Sequence, residues 1–131
     1  MISQAIYSLL TGDTPVSNVV GTKVFPNVAT QGTAFPYITY SVVSKVPTDS
    51  KDNGTGFDKY RVQVNCISSS YTDMEVLAGY VRTALDRKTG TYGSMTILQI
   101  VYDDETDVHD DFQEDSKQVY QKAVDFLIIT K

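Results

Sequence analysis

The chain has 131 residues, 41% hydrophobic and 21% charged, with four prolines and eight glycines. That composition fits one globular domain and excludes disordered, collagen-like and disulfide-scaffold chains. Sixteen acidic against eleven basic residues leave a net charge of −5, the wrong sign for a protein that grips nucleic acid by neutralising its phosphates.

Ile2, Ala5, Ile6, Leu9 and Leu10 recur at three- and four-residue spacing. They predict a short amphipathic helix over residues 2–10, with Gly12 just past its end. Thr14 followed by Pro15 reads as a cap with proline at the first helical position, opening a turn that Gly21 stops. Residues 23–36 hold Pro26, Gly32 and Pro36 and predict a connector, with a short edge strand at Val24 and Phe25. From Tyr37 the period changes to two. Ile38, Tyr40, Val42 and Val46 share one face, with Thr39, Ser41 and Lys45 mostly on the other. Residues 59–67 alternate more cleanly, setting Tyr60, Val62, Val64 and Cys66 against Lys59, Arg61, Gln63 and Asn65. Two half-buried antiparallel strands follow. The polar, glycine-bearing segment between them, 47–58, is longer than a tight hairpin needs.

Thr72 and Glu75 have the spacing of a capping box, and Asp73 adds negative charge at the helix start. Met74, Leu77, Ala78, Val81 and Leu85 form the apolar stripe behind them. Arg87 and Lys88 fall in the last turn and Gly90 follows, which makes this the main packing helix. Residues 96–102 and 119–129 complete the set as two further strands. In the last, Tyr120, Val124, Phe126 and Ile128 take one side, and Gln121, Ala123 and Asp125 largely the other. The expected fold is α+β: a mainly antiparallel twisted sheet of about four strands with two helices packed on one face, in a single domain over residues 1–131.

The sequence offers little chemistry. Asp103, Asp104, Glu105, Asp107, Asp110 and Asp111 surround the one histidine, His109. Hard divalent cations take oxygen ligands, so a small metal-dependent enzyme built on this segment is one reading. The spacing lacks the sharp-turn glycine of an EF-hand loop. A solvated hairpin end whose charges stay wet is the favoured reading. No nucleophile-elbow motif accompanies His109, and Gly54-Thr55-Gly56 lacks the third glycine of a dinucleotide loop. Neither catalysis, nor a cofactor, nor a resident metal is expected.

No apolar run approaches the ~20 residues of a membrane span. No basic residue precedes Lys23, so the charged start of a secretory signal is missing. Asn53-Gly54-Thr55 matches a glycosylation acceptor, which carries weight only in a secreted chain. The single cysteine, Cys66, cannot close a disulfide within the chain, and its place on an apolar strand face predicts a small buried hydrophobe. The nine tyrosines suit strands and suit protein interfaces equally well.

The ordered set of segments resembles the tail completion, or tail-to-head joining, proteins of long-tailed (siphovirus) phages. It comprises an opening helix ending near Gly12, GTKVFP at 21–26, FPYITY at 35–40, YRVQVN at 60–65, MEVLAGYVRTAL at 74–85 and AVDF at 123–126. The match spans nearly the whole chain, and the order carries it more than any one piece. The resemblance implies a structural virion protein that caps the head-proximal end of the tail tube, ends tail growth and forms the docking interface to the head connector. It brings no catalytic residues. The implied partners are the tail tube protein, a head-completion or connector protein, and further copies of the chain in a ring described for the family as six-fold. The implied location is the head–tail junction of the virion, after assembly in the host cytoplasm. A head-completion or minor tail component of the same neck region is the alternative within the structural class.

Two segments are the expected surfaces. Val46, Asp49, Lys51, Asp52, Phe57 and Asp58 mark the 47–58 segment as a protein interface, a polar loop with a single large apolar anchor that orders on docking. Asp103, Asp104, Glu105, Asp107, Asp110 and Asp111 are expected, in part, to face the DNA channel of a ring. Repeated negative charge there keeps passing DNA from sticking.

Overall fold

The structure, a computed structural model, describes residues 2–47, 57–93, 95–108 and 119–131. It contains three helices, α1 (Ile2–Thr11), α2 (Thr14–Val20) and α3 (Tyr71–Leu85). Six strands accompany them: β1 (Val24–Pro26), β2 (Tyr37–Pro47), β3 (Asp58–Ser68), β4 (Gly90–Tyr92), β5 (Met95–Val108) and β6 (Tyr120–Thr130). The strands form one sheet in the order β1-β2-β3-β6-β5-β4, curled into a half-barrel.

This corrects the expected sheet of about four antiparallel strands with two helices. The sheet has six strands and is mixed, because β1 runs parallel to β2, pairing Val24 with Ile38 and Pro26 with Tyr40. The elements outside that count are short. β1, expected as an edge strand at Val24 and Phe25, and β4, which was not expected, span three residues each, and α2, expected only as a turn, spans seven, too few to show a hydrophobic period. Pro26 is tolerated in β1 because that strand lies at the edge of the sheet.

Alternation builds the core. Register sets Ile38 beside Cys66, Tyr40 beside Val64 and Val124, and Val62 beside Phe126. All of these face the helices and are buried, where they meet Ile6 and Leu10 of α1, Val16 and Val20 of α2, and Leu77 and Val81 of α3. α1 is tied down further by Tyr40, whose hydroxyl lies 2.9 Å from Ser3 Oγ and donates to the Ser3 carbonyl at 3.1 Å.

Local details differ from the sequence reading in instructive ways. Asp13 rather than Thr14 caps α2, its carboxylate accepting from the Val16 amide at 3.3 Å. Ser70 rather than Thr72 caps α3, accepting from the Asp73 amide at 3.4 Å, which releases Glu75 for another partner. α3 ends at Leu85, and Arg87 follows at φ 64. Val42 and Val46 are expected on the buried face but are 41% and 54% exposed. A bulge between Val42 and Ser44 moves Lys45 opposite Tyr60 and Val46 opposite Lys59, so Val46 lands on the far face.

Cys66 is fully buried, and burial, with Glu105 adding to it, pushes its thiol up to about 12. The thiolate that attacks disulfide reagents is therefore suppressed. The folded protein is expected to leave such a reagent untouched at pH 8 and to react with one equivalent once unfolded in guanidinium. Stoichiometric reaction of the native protein would show that the thiol is accessible.

Candidate functional site

The expected acidic hairpin end is, through residue 108, the second half of a strand. β5 runs on past Tyr102, and a bulge between Tyr102 and Asp104 redistributes the carboxylates that follow. Asp104 pairs with Asp125 on the sheet face away from the helices. Glu105 and Asp107 pair with Val124 and Lys122 on the helix side. Asp103 turns to Arg61, Oδ2 to Nη1 at 2.7 Å. Asp110, Asp111 and His109 lie outside the described residues.

The helix-side carboxylates converge on a cation that the sequence reading passed over. The Lys122 side chain is only 9% exposed. Its ammonium is bonded to Glu75 of α3 and lies 3.3 Å from Asp107 and 3.7 Å from Glu105 of β5. Burial by itself lowers a lysine pKa. Here the hydrogen bonds and attraction of Glu75 and Asp107 outweigh it and hold the ammonium above its usual range. The signal was present in the period: Lys122 sits at even spacing with Tyr120, Val124 and Phe126, on the apolar face. A cation there must find partners.

A second lock ties the end of α3 to β5. The Arg82 guanidinium lies 3.9 Å above the Tyr102 ring, which meets Phe126 edge-on at 6.1 Å. The Tyr102 amide donates to Asp86 Oδ1 at 3.0 Å and the Arg87 amide to the Ile100 carbonyl at 2.8 Å. Beside this lock runs an open groove of about 550 Å³ lined by Arg82, Asp86, Arg87 and Tyr102.

Residues of the other expected surface lie at the paired ends of β2 and β3. Pro47 and Asp58 are register partners. Lys45 reaches Asp58 at 3.7 Å and lies over the Tyr60 ring. Val46 is exposed and Phe57 is half-buried. Asp49, Lys51 and Asp52 lie outside the described residues. The two expected surfaces are not brought together: β2–β3 pairing places Asp58 at one end of the sheet, and Asp107 is near the other.

Among the described residues, no group of three or more His, Cys, Asp or Glu is placed to hold a metal ion. Three of the four described carboxylates in the acidic set are engaged by Arg61 and Lys122 instead. Among the described residues no helix is long and apolar enough to cross a membrane.

A mixed six-stranded sheet backed by three helices defines a small α+β domain. Residues 4–131 match the family described as Tail completion protein gp17. The chain belongs to that family and is a structural protein of the phage tail. Its fold is shared with a chain in the virion of a native gene transfer agent particle. That chain has a TM-score of 0.79 at 15% identity, over 97% of this chain and 92% of the other. No curated protein matches the sequence.

Removing the buried cation leaves Glu75, Glu105 and Asp107 facing one another. Lys122→Met is expected to lower stability by about 2 kcal/mol, less than the loss from a fully buried pair because the carboxylates are partly solvated. A lysine with a raised folded-state pKa contributes its stability fully below the unfolded value of about 10.4, and loses it as pH rises through the folded value. Denaturant melts should therefore show a constant gap between wild type and variant from neutral pH to about pH 10, narrowing above it. A gap absent at pH 7 would show that the cluster adds nothing to stability.

Proposed function

We propose that the protein caps the head-proximal end of the phage tail tube, ends tube growth and presents the surface on which the head connector docks. The observation that carries this reading is the match to the tail completion family over residues 4–131. In this role its partners are the tail tube protein on one side, a head-completion or connector protein on the other, and copies of itself in a six-fold ring. The protein acts at the head–tail junction after assembling in the host cytoplasm. Catalysis and sequence-specific binding to nucleic acid have no part in it.

The distribution of charge supports a place beside passing DNA. On the open sheet face Asp104 and Asp125 lie side by side, while Asp103 is paired with Arg61. Repeated around a ring, that face presents a negative wall to a DNA channel, and like charge keeps DNA moving. Electron microscopy of phage lacking this chain is the test. Overlong tails and filled heads that stay apart are expected. Tails of normal length alongside defective heads would instead assign the protein to the head side of the neck.

The 47–58 segment serves in this scheme as the docking element, with Phe57 as its apolar anchor and Lys45 and Asp58 paired at its base. Because Pro47 and Asp58 already face each other in register, an Asn-Gly turn can replace residues 48–57 without disturbing either strand. That variant should melt at or above the wild-type temperature, since the closed loop is shorter, yet leave heads and tails unjoined. Normal yields of joined particles would show the segment to be idle.

A further inference from the structure

The groove of about 550 Å³ beside the first half of β5 is lined by Arg82, Asp86, Arg87, Leu98, Gln99 and Tyr102, among others, and its volume is that of a ligand cleft. Backbone groups along it are engaged. The Arg87 amide donates to the Ile100 carbonyl at 2.8 Å and the Tyr102 amide to Asp86 Oδ1 at 3.0 Å, so what the groove offers a ligand is side chains. Neither Arg82 nor Arg87 forms an ion pair among the described residues. Asp86, the one carboxylate in the lining, is turned to the Tyr102 amide.

Arg87 stands where the backbone favours a different residue. Asp86 at φ −61 and ψ 127, Arg87 at φ 64, and the Lys88 amide donating to the Leu85 carbonyl at 3.2 Å make a type II turn. The third residue of such a turn favours glycine, because its φ is positive. An arginine there strains the backbone, and strain retained in a folded chain clusters at ligand sites. Arg82 is held differently. Its guanidinium lies 3.9 Å over the Tyr102 ring, and Phe126 fixes that ring edge-on. A guanidinium placed over a ring keeps N–H groups for a carboxylate, and its planar fork matches one.

We infer that this groove binds an acidic peptide segment of another protein, its carboxylates taken by Arg87 and Arg82 and its apolar side chains laid against Leu98. Leu98 and Val101 are both exposed, apolar surface that suits a peptide. A nucleic-acid backbone has no use for it and meets a chain of net charge −5, which repels it. Nor does a second copy supply the segment, since its acidic strand is engaged internally, Asp103 by Arg61 and both Glu105 and Asp107 by Lys122. The inference goes beyond the capping role and does not depend on it: the chemistry of the groove defines the partner, whichever end of the tail the chain occupies.

The probe is a short peptide of alternating Glu and Leu, titrated into isotope-labelled protein and followed by NMR. It should shift the amide signals of Arg87 and of residues 98–102, with saturation at millimolar peptide. Arg87→Gly should weaken binding about tenfold, the loss expected of a charge-assisted hydrogen bond. The same variant should melt at or above the wild-type temperature, because glycine adopts the positive φ without strain; binding and stability therefore move apart. Lys59→Gln, which removes an exposed cation from β3, should leave binding unchanged. No shifts at millimolar peptide, shifts confined to other residues, wild-type affinity in Arg87→Gly, or an equal loss in Lys59→Gln would each overturn the inference. Equal shifts with an oligothymidylate would assign the groove to nucleic acid. Broadening of the same signals on concentrating the protein alone would assign it to a second copy, and either result overturns the inference.

Discussion

The antiparallel ladder between β3 and β6, eleven residue pairs from Asp58–Thr130 to Ser68–Tyr120, is the constraint on which the rest depends. It aligns Tyr60, Val62, Val64 and Cys66 with Ile128, Phe126, Val124 and Lys122, so that one face of the sheet's centre is apolar over most of its length. A slip by one residue would turn every one of those side chains to the other face. The helices have somewhere to pack because this ladder is in register. The lone cation in the row, Lys122, explains the two acidic features around it: Glu75 on α3 and the inward half of the β5 carboxylates. A lysine held at 9% exposure needs anions, and α3 and β5 supply them while being pinned in place.

Outward from that ladder the rules relax, and three bulges mark where. One lies between Val42 and Ser44 on β2, the others between Ile97 and Gln99 and between Tyr102 and Asp104 on β5. The first two fall just past the reach of the short outer strands β1 and β4. Bulges re-aim side chains and increase local twist. Here they expose valines on one margin and turn Asp104 to the open face on the other. The centre of the sheet thus answers to stability, while its margins carry the exposed valines and the unpaired Asp104.

The long periodic elements were legible in the sequence, because alternation over 59–67 and the helical stripe from Met74 to Leu85 each admit one reading. The caps were less so. Several Ser, Thr and Asp residues crowd each helix start, and only local backbone geometry chose Asp13 over Thr14 and Ser70 over Thr72. β4 was invisible because three residues cannot display a period, and its pairing with Met95, Thr96 and Ile97 is tertiary. The acidic run was read as loop because Asp is a poor strand former. The ladder to β6 and the cations Arg61 and Lys122 override that preference. Val46 was misassigned for a different reason: a one-residue bulge leaves no mark on the sequence, yet reverses the face of everything beyond it.

That internal pairing changes what the acidic set can do. Read as sequence, it is a block of free negative charge. In the fold, Asp103 is spent on Arg61, and Glu105 and Asp107 on Lys122. Asp104 remains, set directly opposite Asp125, whose Oδ1 is buried with no hydrogen-bond partner among the described residues. Like charges opposite one another across a ladder destabilise it, and an unsatisfied buried oxygen adds to the loss. The stability of an isolated chain gives no reason to hold this pair. On the channel placement proposed above the pair has a use, because there the potential would be the useful quantity. With a screening length of about 8 Å at physiological salt, charge set directly on that face would act on phosphates passing in the proposed channel, and charge placed deeper or farther away would not.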